Sequence, residues 1–330
     1  MADIVDQFGT EGELSRAKRR LNCCVTGCLL VVFFALVVVL GGIWYFYSGR
    51  DPLPPTAFMN EESRFVVAIR FDFDDEASKA FLTGFRGEFG GEKETTARMI
   101  GALEHLSPGW TVTAGKILPD DYSALPEDGI WAVTYTHWWR VLQFAVPGMA
   151  GNAFEEVGFH GGVPVYKVPE DPLPYFAVRE NSVLYSTDLE TVRNTLSRIA
   201  AGKRLEGPLA ATAVGMEWKA DVTVLSIVPP AGLTGFDTSE YTTATPIYLF
   251  ELDFTSTSTA TGRMCITLSS DDEADTAHKA LEATIGDVKE LLGAKNASAK
   301  ADGNRVEILL DFEFKDPEGM IAIVRKVFSK

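Results

Sequence analysis

The sequence predicts an α+β protein, with an N-terminal transmembrane helix followed by mainly antiparallel sheets that helices cover. Three observations lead to this prediction. An uncharged apolar segment lies near the N-terminus, short alternating strands recur between turn residues, and amphipathic helices begin at capping residues. Two parts of the chain also resemble each other, which raises the question of two related halves.

The apolar segment from Val25 to Tyr47 contains 23 residues without a charge. As a helix it would rise about 1.5 Å per residue and span roughly 35 Å, enough for the hydrocarbon core of a bilayer. A lipid-attachment cysteine would follow the apolar stretch, whereas Cys28 lies near its start. A cleaved signal peptide would have a shorter apolar region that ends at small residues. We therefore expect an uncleaved transmembrane helix over 22–48.

The two ends of this segment predict its orientation. Basic residues are retained on the cytoplasmic side of a membrane, so we expect a cytoplasmic tail over 1–21 and an extracytoplasmic body, periplasmic in a Gram-negative host. The basic residues before the segment are Arg16, Lys18, Arg19 and Arg20. Aromatic residues at its other end suit the membrane interface, where the lipid bilayer would be their partner. These belt residues are Trp44, Tyr45, Phe46 and Tyr47.

The part of the chain beyond this segment is strongly acidic. Residues 1–50 contain five Lys or Arg and four Asp or Glu, which leaves 25 and 42 of the chain's 30 and 46 for residues 51–330, a net charge of −17. This charge argues against a nucleic-acid partner and favours either a solvated surface or a basic partner. Cys265 is the single cysteine beyond residue 28, so no disulfide can form within residues 51–330.

A Pro-rich stretch predicts a semi-rigid spacer over 49–60, followed by a first half over 61–205. In this half Asp74 can cap one helix, and a later helix has Asp188 as its N-cap and Gly202 as its C-terminal stop. Several hairpins, with turn signals such as Gly-Gly and Glu-Asn, precede the later helix. Strands are predicted near 64–73, 110–117 and 129–136, and a further helix near 92–106.

The second half is predicted over 206–330 and continues the alternation of hairpins and helices. A long hairpin is predicted to turn near Ala260 to Gly262, and another around Asp302 and Gly303. Between them lies a helix that opens with Asp-Asp-Glu-Ala, the same letters that open the first helix of the first half. A duplication would explain this similarity, but two independently capped helices would explain it as well. The hairpin–helix unit at 175–201 is likewise echoed at 297–329.

No catalytic motif is present in the sequence. A nucleophile elbow, a phosphate-binding loop, a paired Cys-x-x-Cys and a His-Glu-x-x-His helix are all absent, and so is a Gly-x-Gly-x-x-Gly loop. The carboxylates of Asp72 to Glu76 are explained by helix capping better than by a cation. We therefore expect no catalytic residue, cofactor or metal, while an enzyme with a dispersed site stays an alternative. The four histidines, widely separated in sequence, are His105, His137, His160 and His278.

An aromatic patch in the first half is the candidate docking surface. It consists of Trp138, Trp139, Arg140 and Phe144. Tryptophan and arginine dominate the energetics of protein interfaces, so this patch can dock another protein or a lipid chain. The alternative is that the aromatic side chains belong to a broad buried helix face, which would use their large apolar area for folding.

The chain consists of a basic-flanked apolar segment, a Pro-rich spacer and hairpin–helix units such as "PYFAVRENSVLYSTDLETVRNTLSRI". This layout resembles that of bacterial single-pass membrane-anchored extracytoplasmic proteins of unassigned function. The resemblance implies a cell-envelope protein and no site residue. Together with the missing motifs it leads us to expect an interaction protein, an accessory or scaffold subunit of a larger membrane complex. A tethered module that binds lipid or another apolar ligand is the alternative, and an envelope hydrolase is a third.

Overall fold

A computed structural model describes twelve stretches of the chain. They are residues 31–49, 51–70, 75–81, 108–115, 129–136, 139–149, 154–169, 174–203, 205–229, 244–316, 319 and 321–323. The chain divides after Ser48 into two compact units. Each is described by itself, and residues 49–330 are called the body.

The N-terminal unit contains one described helix, α1, over 31–47. Most of its apolar side chains are exposed, with Trp44 at 71%. Among the described residues, no helix is both long and apolar enough to cross a membrane. The predicted transmembrane helix over 22–48 is therefore wrong for the part of the chain that the structure describes, and residues 22–30 lie outside it.

The last turn of α1 contains the four aromatic residues assigned to an interface belt. Ser48 ends the helix by donating its backbone N–H to the Trp44 carbonyl oxygen at 2.7 Å and its hydroxyl to the Tyr45 carbonyl oxygen at 2.9 Å. The rings of Tyr45 and Phe46 meet edge to face at 5.4 Å. Their role at a membrane interface stays a prediction, as does the placement of the body outside the cytoplasm.

The body is built on one twelve-stranded sheet in which all neighbours are antiparallel, in the order β11-β12-β10-β9-β8-β1-β2-β3-β7-β6-β5-β4. The strands are β1 Phe65–Arg70, β2 Pro108–Gly115, β3 Ile130–Tyr135, β4 Glu155–His160, β5 Val163–Lys167, β6 Tyr175–Arg179, β7 Ser182–Ser186, β8 Val222–Ser226, β9 Ile247–Ser256, β10 Thr259–Thr267, β11 Asn296–Asp302 and β12 Arg305–Glu313.

Helices are few in the described part of the body. They are α2 over 76–81, α3 Trp139–Met149, α4 Leu189–Ala201, α5 Ala210–Gly215 and α6 Asp271–Leu292, with a 3₁₀ turn at Pro55–Ala57 and a last helical turn at 321–323. The predicted α+β class is therefore wrong: the body is mostly antiparallel sheet, and its strands join one sheet instead of several. Local patterns do not reveal how strands pair across the body, so the sequence did not show that the described strands join one dominant sheet. The helix predicted near 92–106 lies outside the described residues.

The two predicted halves meet at the centre of the sheet. Strand β1 pairs with β2 on one side and with β8 on the other, and Val66 lies opposite Leu225 in the second pair. The sheet thus continues across the predicted boundary at 205/206. The boundary itself stays a prediction.

The two faces of the sheet are covered differently along its length. In β1, Val66 and Ala68 point into a cluster shared with Val192 and Leu196 of α4. On the opposite face, Val67 and Ile69 pack against a cluster that contains Leu281 and the other buried residues of α6. Side chains alternate between faces with a period of two, so one strand supplies both cores. A third cluster lies on the first half's other face, beside α3.

Local signals explain the ends of the longer helices. The Asp188 carboxylate accepts the Thr191 N–H at 2.8 Å, and Gly202 ends α4 in the left-handed region, so both predictions for this helix are confirmed. Helix α6 begins with a capping box, in which Ser270 accepts the Glu273 N–H and the Glu273 carboxylate accepts the Ser269 N–H. For α2 the cap is Asp75, which accepts the Ser78 N–H at 2.7 Å. The predicted cap, Asp74, lies outside the described residues.

Of two turns that were predicted at glycines, one is confirmed and the other prediction is wrong. Gly161 has φ +56°, and a Cβ there would lie 2.8 Å from the Leu196 carbonyl oxygen, so the β4–β5 turn requires glycine. Gly262 was predicted to turn the β9–β10 hairpin but lies inside β10, and the chain turns between Ser256 and Thr259 instead. A Cβ at Gly262 would lie 2.9 Å from the Phe312 ring. This glycine therefore serves close packing in the core.

Candidate docking surface

The predicted docking patch falls on and beside α3. Trp138 lies outside the described residues, and Trp139, Arg140 and Phe144 belong to the helix. Arg140 is half-buried. The structure thus places three of the four residues on one helix, and whether the patch docks a partner stays a prediction.

Helix α3 lies beside the β6–β7 hairpin of the first half. The Gln143 side-chain amide donates to the Glu180 carbonyl oxygen at 3.1 Å, and Glu180 forms the tip of that hairpin with φ 51°. Val146 packs against the apolar cluster of the sheet face beneath. Val141, by contrast, is 38% exposed. The helix therefore contacts the sheet with one side and presents an apolar residue to solvent on another.

A row of five aromatic rings crosses the sheet face next to α3. The rings of Trp131 and Tyr185 have centroids 5.1 Å apart, Tyr185 and Phe176 5.9 Å, and Phe176 and Tyr166 5.2 Å. Phe154 meets both Tyr166 and Phe176 edge to face at 5.0 Å. We call this set the aromatic row. Such contacts between rings contribute about 0.5–1.5 kcal/mol per pair beyond the burial of their area.

Strand register brings the aromatic row together. Trp131 on β3 lies opposite Tyr185 on β7, which lies opposite Phe176 on β6, which lies opposite Tyr166 on β5. Directly opposed residues share a face of the sheet, so the row crosses four neighbouring strands. The sequence shows the aromatic residues but not their pairing partners. Sequence reasoning therefore missed this row, and the signal that could have found it is the aromatic residue in each of four short predicted strands.

The row is buried in the middle and half-exposed at its ends. Tyr166 is 2% and Phe176 6% exposed, whereas Trp131, Tyr185 and Phe154 are half-buried. Burial, aided by the charge of Glu156, raises the pKa of Tyr166 above its usual value. Tyr135, in the same cluster, has its pKa raised further, mainly by burial. Both phenols are therefore neutral at physiological pH, and the row is an uncharged aromatic surface.

The row continues to the open edge of the sheet. Phe159 on β4 lies opposite Pro164, which is two residues from Tyr166 and hence on the same face. Phe159 is 62% exposed, more than any other large apolar side chain among the described residues of the body. Glu155 and Glu156, in the same strand, are exposed as well. Apolar side chains therefore continue on one face from Trp131 to this edge, buried at Phe176 and Tyr166 and exposed at Phe159, where carboxylates lie beside them.

A second group of polar side chains lies at the junction of the halves, around Asp221. Asp221, just before β8, accepts the Phe254 N–H at 2.8 Å. Burial raises its pKa to about 6, assisted by the charges of Asp253 and Asp75 and opposed by that hydrogen bond and by Arg70. Within the described ranges, no group of three or more His, Cys, Asp or Glu side chains could hold a metal ion. Asp72, from the predicted carboxylate cluster, lies outside those ranges.

The histidines do not form a catalytic arrangement in the described part of the chain. His160 ends β4, and His278 lies in α6 with its Nε2 3.7 Å from the Glu282 carboxylate. His105 and His137 lie outside the described residues. Cys265 is buried on β10, and burial raises the pKa of its thiol, which disfavours the reactive thiolate.

Acidic side chains on β9 and β12 form a solvent-facing surface in the second half. Asp253, Asp311 and Glu313 are exposed, while Glu251 and Glu307 are half-buried. Arg263 lies between those two, its Nε 3.0 Å from Glu251 and 3.5 Å from Glu307. Lys300 contacts Glu307 at 2.5 Å, and Lys295 pairs with Glu313. We call the paired residues the ion-pair lattice; their charges have partners within the chain, and Asp253 and Asp311 share the same face. The lattice consists of Glu251, Arg263, Lys295, Lys300, Glu307 and Glu313.

The comparisons with known proteins add no further site. Comparisons of this chain with protein-family models, with curated proteins and with solved structures found no match.

Proposed function

We propose that this chain is a non-catalytic interaction protein that binds a protein partner through the aromatic row and the exposed side of α3. The observation that carries the proposal is a cross-strand row of five rings whose ends are half-exposed. Half-exposed Trp and Tyr side chains are the groups that supply most of the binding energy in protein interfaces.

The chemistry of the partner follows from charge. Residues 51–330 have a net charge of −17, and exposed glutamates flank the row on β4. Such a surface attracts basic partners over several ångströms of solvent and repels acidic ones. The partner we propose is therefore a protein segment with apolar side chains to cover the rings and Lys or Arg residues to face the rim. An accessory or scaffold role in a larger assembly is consistent with such a surface.

A second candidate is an apolar-ligand binding module. The observation that favours it is the position of α3, whose Val146 packs on the same apolar cluster as the rings. A lipid chain between the helix and the sheet would contact the same side chains as a protein partner. Mass spectrometry of the purified chain, extracted under non-denaturing conditions, separates the two, since a stoichiometric lipid supports this candidate and its absence supports the first.

The test of the proposed function is size separation after mild extraction from the native cells. The wild-type chain, of 36.0 kDa, is expected to migrate in a larger particle. Val141→Asp places a charge at an exposed apolar position of α3 and is expected to release the chain from that particle. The matched control is Leu309→Asp, which changes a residue 43% exposed on the ion-pair lattice side of the second half. Migration of all three chains alone, or equal release by both variants, would contradict the proposal.

A further inference from the structure

We propose that the open edge at β4 binds an extended basic segment of the partner by strand addition, so that the partner's backbone pairs with β4 and its side chains reach the aromatic row. This inference rests on the proposed function and specifies how the partner binds. Strand addition uses main-chain hydrogen bonds for affinity and alternate side chains for specificity.

The first step of the argument is the position of β4. It is the last strand of the sheet, hydrogen-bonded to β5 on one side and to no described strand on the other. An edge strand presents unpaired backbone N–H and C=O groups that can template another strand. The strand is six residues long, a usual length for a β-strand in a globular protein.

The two edges of the sheet differ in how they are protected. Edge strand β11 is rich in alanine, carries no aromatic residue, and its Lys300 contacts Glu307 of the neighbouring strand. Lysine on an edge discourages pairing with another chain. Strand β4, Glu155–His160, contains neither lysine nor proline and exposes a phenylalanine. Of the two edge strands, β4 is therefore the one that exposes a large apolar side chain to a partner.

Phe159 connects this edge to the aromatic row. It shares a face with Tyr166 through its pairing with Pro164. In a strand added beside β4, every second side chain would lie on that face. One of them would lie next to Phe159, and the next would lie two residues further along the added strand. The register shift between Glu156 and Gly158, a bulge, bends the strand at the point where the row meets the edge.

Charge selects the occupant of this edge. Glu155 and Glu156 are exposed on β4, and Lys167, opposite Glu155, lies on the inner strand with its Nζ 5.9 Å from the Tyr175 ring. The two carboxylates attract a basic strand and disfavour a neutral or acidic one. The same charges also oppose pairing of this edge with the edge of another copy. A second copy of this chain, with its net charge of −17 over residues 51–330, is the less favourable occupant.

The experiment uses the full chain and two synthetic peptides labelled with fluorescein. The first is acetyl-Thr-Phe-Thr-Lys-Lys-Thr-Thr-amide, in which Phe and the first Lys share a face opposite Phe159 and Glu156 and the second Lys faces Glu155. The second has the same sequence with alternate backbone nitrogens methylated, which keeps charge and side chains but removes the donors on one edge. Fluorescence polarisation measures the affinity of each. We expect the methylated peptide to bind at least about tenfold more weakly, since it cannot form two or more hydrogen bonds.

Variants of the protein give the second readout. Phe159→Ser is expected to weaken binding of the unmodified peptide by about fivefold or more, because it removes the apolar contact at the edge. The matched control, Leu291→Ser, changes a residue 54% exposed on α6 and is expected to leave binding unchanged. Circular dichroism confirms that both variants are folded.

The outcomes separate this inference from the proposed function. Equal binding of both peptides, abolished by Val141→Asp but not by Phe159→Ser, would overturn strand addition while supporting the aromatic row as the docking surface. No binding of either peptide would overturn strand addition, and the proposed function would then stand or fall on the size separation alone. A dimer in sedimentation that Phe159→Ser dissociates would overturn the inference as well, because the edge would then be occupied by a second copy.

Discussion

The two halves of one sheet present opposite kinds of surface. On the first half, the aromatic row crosses four strands, with Phe176 and Tyr166 buried and Trp131, Tyr185 and Phe154 partly exposed. On the second half, the uncovered face carries the ion-pair lattice centred on Arg263. The lattice satisfies its charges within the chain, so it has little to gain from a partner. The aromatic row has apolar area still in contact with water, and this difference is why we assign binding to the first half.

The largest expected effect tests the aromatic row as part of the core. Phe176→Ala removes a ring that is 6% exposed and touches three other rings. We expect the free energy of unfolding to fall by about 3–5 kcal/mol, because burial is lost and a cavity remains. Urea denaturation measures it, with Leu309→Ala on the second half, 43% exposed, as a control that should cost less than about 1 kcal/mol. Similar losses for the two variants would mean that the row contributes no more than surface contacts do.

The next effect lies at the junction of the halves. Asp221→Asn keeps an oxygen that can accept the Phe254 N–H and removes a charge whose burial raises the pKa to about 6. Because the folded state binds the proton more tightly than the unfolded state does, the wild type loses stability as pH rises from about 4 to about 6. The variant is expected to be more stable by roughly 1–2 kcal/mol above pH 6, after allowance for partial solvent screening.

Thermal or urea denaturation of both proteins over this pH range measures that effect. The difference between them should vanish below about pH 4, where the unfolded-state carboxyl is also protonated. A difference that is constant with pH would contradict a role for the charge of Asp221 and would point to a change in packing.

A smaller effect is expected from the ion-pair lattice. Arg263→Met retains the apolar stem but leaves Glu251 and Glu307 without the guanidinium between them. Burial already raises the pKa of Glu251, and loss of Arg263 raises it further. We expect a cost of about 0.5–1 kcal/mol at neutral pH and low salt, and a smaller cost at acidic pH, where Glu251 becomes protonated. Unfolding at two salt concentrations measures it, and a cost that ignores both salt and pH would refute an electrostatic origin.

The smallest expected effect on stability is that of a substitution at the exposed edge of the first half. Phe159→Ser changes the most exposed large apolar residue of the described body, so we expect its stability to change by less than about 0.5 kcal/mol. Differential scanning calorimetry measures this change beside the binding assay. A large loss of stability would show that Phe159 serves folding, and it would remove the argument that the open edge is kept for a partner.

The sequence was a good guide wherever a feature depends on neighbouring residues. Asp188 and Gly202 end α4 as predicted, and the turn around Asp302 and Gly303 separates β11 from β12. A cap is a hydrogen bond to a backbone amide three residues away, and a left-handed turn depends on one residue's own conformation. Such features can therefore be found from a few letters of sequence.

Prediction failed where packing decides the outcome. Gly262 was interpreted as a turn residue, yet it lies in a strand because the Phe312 ring comes close to it. The transmembrane helix was inferred from the length of an uncharged segment, whereas no helix among the described residues is long and apolar enough to cross a membrane. The predicted fold class failed for a related reason, since counts of capped helices do not reveal how many strands join one sheet.

The sequence by itself determined the turns at Gly161 and Gly303, the caps of α4 and the acidic charge of the body, because each depends on residue type or on contacts within a few residues. The tertiary structure decided that β1 pairs with β8, that one sheet of twelve strands results, and that Trp131, Tyr185, Phe176 and Tyr166 form a row. Strand register joins residues that are far apart in the chain, and a shift of one residue would turn those rings to the other face. Local pattern contains no information on that choice, so the candidate docking surface became visible only in three dimensions.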